Sequence, residues 1–183
     1  MESGFIRKYV SFDKKMRTSL YQLTDIYTLV YLRFIKDTAH FKKNKWLNTI
    51  NSPVHRAWTG YAFEQVCLYH TDQLKHGLGI TAVDTNISSW RSNTLEKGAQ
   101  IDLVIDRRDQ VINLCKMKFS INEFTIDKKY DLVLRNKIAA FKQETGTRKS
   151  VFQTLVTTFG LKQNNYPAGI VQNDIKMNAL FHK

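Results

Sequence analysis

Three segments hold side chains able to do polar chemistry. Glu64 stands inside a mostly apolar helical pattern, where a carboxylate is uncommon without a partner. Asp102 belongs to the run Gln100-Ile101-Asp102-Leu103-Val104-Ile105-Asp106, and Lys116 and Lys118 to the run from Val111 to Phe119. Side chains alternate along a strand. Ile101, Leu103 and Ile105 therefore share one face, and Asp102, Val104 and Asp106 the other. In the second run Cys115, Met117 and Phe119 share one face, and Leu114, Lys116 and Lys118 the other. The charged stretch Arg107-Arg108-Asp109-Gln110 reads as a hairpin turn. It brings Asp102, at the start of one strand, near Lys118 at the end of its neighbour. On spacing alone this is a structural ion pair, Asp102 with Lys116 or Lys118, because acid and lysine on neighbouring strands commonly meet. Glu64 is then satisfied by a tyrosine or a lysine.

Other chemistry is thinner. No G-x-x-x-x-G-K-[ST] and no G-x-G-x-x-G occurs, so the chain carries no visible ATP or dinucleotide phosphate loop. No serine lies in G-x-S-x-G. Cys67 and His70 have C-x-x-H spacing with His76 nearby, but a zinc site needs a fourth ligand. Arg135, Lys137 and Lys142 lie beside an apolar helical stripe and can meet a phosphate backbone or simply solvate the helix. Trp46 and Trp90, next to Lys45 and Arg91, permit base stacking or plain packing.

These residues need elements to hold them. Residues 4–10 and 18–23 alternate as a hairpin with a basic tip containing Lys14, Lys15 and Arg17. Asp25 caps a helix running to about Lys36 whose apolar residues must pack against something. Residues 37–52 read as a connecting segment. Ser52 and Pro53 start a helix that runs to about Leu74, and Gly77 and Gly79 end it. A strand at 80–84, a polar loop at 85–98, the two strands above, a helix over 128–144, and strands at 150–159 and 168–177 complete the chain. The pattern predicts an α/β class fold, a mixed α+β sheet flanked by helices in the order α-β-β-β-α-β-β. Residues 1–50 form a hairpin, helix and linker, and residues 51–183 the main domain.

The chain has 183 residues, 28 Lys plus Arg and 16 Asp plus Glu, for a formal charge of +12. This is globular composition, with no apolar run near the ~20 residues that cross a bilayer. Two cysteines, Cys67 and Cys115, suit a reduced, cytoplasmic chain and exclude a disulfide scaffold. Residues 1–53 hold 10 basic and 4 acidic side chains, so the excess is not confined to a tail. A polyanion is the expected partner, with nucleic acid ahead of a membrane surface.

Glu64, Asp102 and a lysine sixteen residues later, on the adjoining strand, resemble the PD-(D/E)XK nuclease-like superfamily, whose restriction-endonuclease-like core has the same element order. Longer stretches are similar to the C-terminal region of a bacterial AAA-type or STAND-like ATPase family. They are His55-Arg56-Ala57-Trp58-Thr59-Gly60-Tyr61-Ala62-Phe63-Glu64, Ile87-Ser88-Ser89-Trp90-Arg91, Gly98-Ala99-Gln100-Ile101-Asp102-Leu103 and Leu161-Lys162-Gln163-Asn164. That family places an ATPase core first, then a winged helix, then the nuclease-like domain. The resemblance implies that this chain is a fragment starting inside a partial winged helix, with the parent ATPase domain and DNA as partners and no ATP site of its own.

It also implies site roles. Asp102 and Glu64 serve Mg²⁺, and the catalytic set is Glu64, Asp102, Lys118 and the residue at 116. From their charge and placement, and not from the resemblance, Lys14, Lys15, Arg17, Arg91, Arg135 and Lys137 are the residues expected to touch DNA. Family members carry Glu two residues before the lysine, in a Cys-Glu-x-Lys-Phe-Ser run, whereas this chain reads Cys115-Lys116-Met117-Lys118-Phe119-Ser120. An ammonium ion offers no lone pair to Mg²⁺. Two cations about 4 Å apart repel by roughly 1 kcal/mol even in water. The implied function is a DNA-binding, nuclease-like domain with a disabled metal site. One alternative is an active Mg²⁺-dependent endonuclease using a substitute carboxylate, Asp84 or Glu123, since Asp106 lies about 13 Å along the strand. Another is a non-catalytic regulatory domain that contacts the ATPase or a protein partner.

Overall fold

A computed structural model of the chain describes residues 5–12, 20–36, 49–50, 52–92, 99–164 and 169–181. Lys14, Lys15, Arg17 and Trp46 lie outside the described residues. The chain opens with the antiparallel hairpin β1 (Ile6–Tyr9) and β2 (Leu20–Leu23), in register from Ile6↔Leu23 to Tyr9↔Leu20. Helix α1 (Ile26–Val30) follows, with Asp25 accepting from the Thr28 amide at 2.7 Å. It continues as a π-helical turn over Tyr31–Ile35. The apolar side chains of this region find only partial cover. Phe34 meets Trp58 edge-on at 5.6 Å, and Leu29 and Leu32 line a groove against Ala57, Trp58 and Tyr61.

Helix α2 (Pro53–Tyr69) starts as its sequence predicts, with Ser52 Oγ accepting from the His55 amide at 3.2 Å and Pro53 in the first turn. The single helix expected to about Leu74 is broken at His70, which leaves helical geometry at φ −111° and ψ 39°. The His70 ring lies 2.8 Å from the Val66 carbonyl, one of the acceptors that a helix end leaves unsatisfied. Helix α3 (Thr71–Gly77) then resumes, and Gly79 takes the left-handed conformation at φ 69°.

The expected strand at 80–84 is a turn, and the expected loop after it contains β3 (Thr85–Arg91). The reason is position. Strand β3 is the sheet's edge and buries only Trp90, so its sequence reads as polar. Strands β4 (Gln100–Arg107) and β5 (Val111–Lys118) form the predicted hairpin. Helix α4 (Lys128–Thr145) is capped by Asp127, whose carboxylate accepts from the Tyr130 amide at 2.7 Å, and stopped by Gly146 at φ 62°. Strands β6 (Ser150–Thr157) and β7 (Val171–Lys176) and a 3-10 turn, Met177–Phe181, end the fold.

The result is a mixed α+β architecture with one five-stranded mixed sheet in the order β3-β4-β5-β6-β7. The first three strands are antiparallel, and β5-β6 and β6-β7 are parallel, the former pair linked by α4. On one face Phe63, Cys67 and Leu74 pack on Leu103, Ile105, Cys115 and Met117. On the other Phe141 packs on Trp90, Ile101, Val104, Ile112 and Leu114, and Leu134 on Ile126 and Leu155. The N-terminal hairpin docks on the edge of this sheet. Phe12 N donates to Ser89 O at 2.7 Å, Ser89 N to Val10 O at 3.1 Å, and Tyr69 Oη to Thr24 O at 2.9 Å. Among the described residues no helix is long and apolar enough to cross a membrane.

Candidate functional site

The site begins with an irregularity in β4. Ser88 pairs with Val104, but Trp90 pairs with Ile101, so β4 spends one residue more than β3 over this stretch. Such a bulge turns the following side chain to the other face. Strict alternation places Ile101 with Leu103 and Ile105; instead Ile101 joins Val104 and Trp90, while Leu103 and Ile105 remain with Phe63 and Cys67. On its other side β4 pairs with β5 from Asp106↔Ile112 to Leu103↔Cys115, and the ladder stops there. Asp102 and Lys116 are the next residues, facing across the fork that opens.

There the Lys116 ammonium donates to the Asp102 carboxylate in a direct ion pair. The Asp102 side chain is 7% exposed and that of Lys116 22%. Of the two partners compatible with the spacing, the structure selects Lys116. Lys118 stands instead 5.2 Å from the centre of the Tyr130 ring on α4, a cation–π contact. Burial, and then the neighbouring Lys116 charge, push the Lys118 ammonium below its usual range, while Asp102 opposes them. Lys137 reaches from α4 to donate to the Gln100 carbonyl at 3.1 Å. It too is lowered, by burial first and by Lys116 second.

Glu64 faces the same place from α2. Glu64 and Asp102 line one cleft of about 240 Å³ with Tyr21, Gln22, Leu68, Ser89 and Gln100, so β2 supplies part of its wall. Among the described residues no hydrogen bond or ion pair reaches the Glu64 carboxylate, so the expected tyrosine or lysine partner is missing. Burial first, and the Asp102 charge second, raise its pKa to about 7, against a weaker lowering by Lys116. The native state therefore holds this proton more tightly than the unfolded chain, whose value is near 4.5. The group's contribution to stability is full below pH 4.5 and is lost as pH rises through about 7. Glu64→Gln mimics the protonated form. Its melting temperature is expected to match the parent's near pH 4.5 and to exceed it above pH ~8. The full shift corresponds to about 3 kcal/mol, and partial solvation reduces it to about 1–2 kcal/mol, or about 2–8 °C. A difference in melting temperature that is flat with pH would refute the buried, raised carboxyl.

The remaining sequence candidates stand elsewhere. Arg135 is exposed and bonded to Asp131 at 2.8 and 3.2 Å. Arg91 is exposed at the end of β3, opposite Gln100. Asp84 lies 3.9 Å from Arg108 near the far end of β3, Asp106 binds Lys149 at 2.6 Å, and Glu123 is exposed; none lines the cleft. Cys67 and Cys115 are buried free thiols, pushed up to about 12 chiefly by burial. Among the described residues no group of three or more His, Cys, Asp or Glu is placed to hold a metal ion, the Cys67, His70 and His76 spacing included. Mg²⁺ requires several oxygen donors. The cleft offers two carboxylates, one occupied by an ammonium and the other holding its proton up to about pH 7, which is a poor fit to that ion.

Sequence reasoning missed Tyr21, Gln22, Ser89 and Gln100 as cleft walls and Tyr130 as the seat of Lys118. Gln100 alone carried a signal, two residues before Asp102 on the same strand. Compared with known protein families, with curated proteins and with solved structures, the chain matches none.

Proposed function

We propose that this chain is a DNA-binding, nuclease-like domain whose metal site is disabled. The observation that carries the reading is the ion pair of Lys116 with Asp102 at the fork between β4 and β5. An active site of the PD-(D/E)XK type needs a hard oxygen ligand where this ammonium stands. The order α2, β3-β4-β5, α4, β6, with β6 parallel to β5, suits a restriction-endonuclease-like core. Glu64, Asp102 and Lys118 stand around that fork, which supports the reading, and the charge of +12 suits a polyanion. In this reading the domain is the C-terminal part of a cytoplasmic bacterial AAA or STAND-type ATPase, and DNA and the parent ATPase are its partners. Asp84 and Glu123 stand outside the cleft, which disfavours an active endonuclease with a migrated carboxylate.

A second reading, a regulatory domain that binds protein, draws on the exposed apolar residues Phe5, Ile6 and Tyr27 of the N-terminal unit. Titration of a labelled DNA duplex separates the two. Contact with about three phosphates gives about a 40-fold loss of affinity between ~50 and ~200 mM salt. Absence of binding at the lower salt would sink the DNA reading, and cleavage of plasmid in Mg²⁺ would sink the disabled site.

A further inference from the structure

We propose that Lys116, Lys118 and Lys137 form a metal-free clamp for a nucleic-acid phosphate group, with Asp102 as its anchor. The inference deepens the DNA-binding reading above and rests on it. Lys116 and Lys118 are two residues apart on one face of β5, and that face is covered by α4. From α4 itself Lys137 extends to the Gln100 carbonyl, two residues from Asp102 on β4. Three ammonium groups thus gather around one buried carboxylate. Asp102 is bonded to Lys116, and among the described residues neither Lys118 nor Lys137 is bridged to a carboxylate.

The chemistry of the ligand follows. Lys118 rests on a ring face and keeps its N–H donors, and Lys137 spends one donor on a carbonyl. Two half-buried cations with unused donors, sharing one carboxylate that is bonded to a third, call for an anion with several acceptor oxygens, and phosphate is such an anion. The depression of both lysines by burial and by their neighbour's charge fits the same need. Lys116 adds a positive charge that Asp102 fixes in place. A metal-dependent site draws that charge from an ion in solution; here it is covalently part of β5. Binding therefore needs no divalent cation. A phosphodiester within the strand and a terminal phosphomonoester share this chemistry.

The test uses the full chain and labelled duplexes with a 5′-phosphate or a 5′-hydroxyl, in EDTA and in Mg²⁺. Lys118→Gln and Lys137→Gln are each expected to weaken binding about three- to tenfold and to reduce the slope of log affinity against log salt by about 0.9. Lys118→Arg and Lys137→Arg keep the charge and are expected to keep most of the affinity. Arg108→Gln removes the same charge from the exposed turn that follows β4 and serves as the control. Affinity in EDTA equal to or above that in Mg²⁺ supports the clamp, because Mg²⁺ only competes for the phosphates, and loss in EDTA overturns it. A preference for the 5′-phosphate assigns the clamp to chain ends, and indifference assigns it to internal phosphates. If both Gln variants bind like the control, the clamp falls while the DNA-binding reading stands. If the parent chain binds no DNA at low salt, the reading falls and takes the clamp with it.

Discussion

Lys116→Glu is expected to make the stability of this fold depend on divalent cations. In the parent chain the Lys116 ammonium neutralises Asp102, whose side chain is 7% exposed. The substitution removes that counter-charge and sets a third carboxylate beside Asp102 and Glu64, whose proton affinity already reflects the Asp102 charge. Removing one partner of a buried pair costs about 3–5 kcal/mol. For a domain of this size that lowers the melting temperature by about 6–20 °C in EDTA. The same three carboxylates are a donor set for Mg²⁺ or Mn²⁺. An ion at about 100 times its dissociation constant returns about 2.7 kcal/mol, or about 5–11 °C. Melting curves of both chains in EDTA, Mg²⁺ and Mn²⁺ measure this directly. The parent is expected to be indifferent to the ions and the variant to recover with them. A variant melting alike in EDTA and in Mn²⁺ would show that the fork cannot form a metal centre. In the proposed function the variant also gains nicking of plasmid in Mn²⁺, whereas nicking by both chains would mean that the site was never disabled.

The legible parts of this fold are those where one residue decides a local event. Ser52 and Pro53 start α2, Asp127 starts α4 and Gly146 ends it, because caps act within one turn of the helix. The β4-β5 hairpin is legible from two apolar runs and a charged turn. Its exact register is not, because the residue closing the turn in the left-handed region is Gln110, at φ 68°, rather than the glycine or asparagine that flags such a position. That register decides whether Asp102 meets Lys116 or Lys118. The bulge is equally silent. Alternation assumes one residue per position, and an inserted residue at Asp102 moves Ile101 to the opposite core. Strand β3 is hidden because Asn86, Ser88 and Ser89 carry little apolar signal at a sheet edge. The grouping of Glu64, Asp102 and Lys118 is legible only through family resemblance, since these residues lie far apart in the chain and no periodicity links them. Lys137 is legible as a basic residue on a helix, but its reach to Gln100 depends on where α4 crosses the sheet.

Asp102→Asn separates a clamp from a catalytic remnant, because its two expected effects have opposite signs. The amide keeps the size of the side chain and removes the charge that holds Lys116. A lysine with 22% of its side chain exposed then loses its bonded counter-ion, at a cost of about 2–4 kcal/mol, which is less than for a fully buried pair because some water reaches it and Glu64 remains nearby. The melting temperature is expected to fall by about 4–16 °C. Affinity for DNA is expected to rise, because the same change adds one positive charge to the surplus facing the phosphate. Titrations at several salt concentrations read this as a slope steeper by about 0.9. A carboxylate acting only as a structural partner predicts lost stability with unchanged DNA affinity. The double variant Asp102→Leu/Lys116→Met supplies the second comparison. Replacing both charges with apolar groups of similar volume is expected to return stability to the parent level or above it. It also removes the fixed cation, so DNA affinity is expected to drop below the parent's while that of Asp102→Asn stands above it. Affinity that follows stability through both variants would place the effect in folding and remove Asp102 and Lys116 from the binding site.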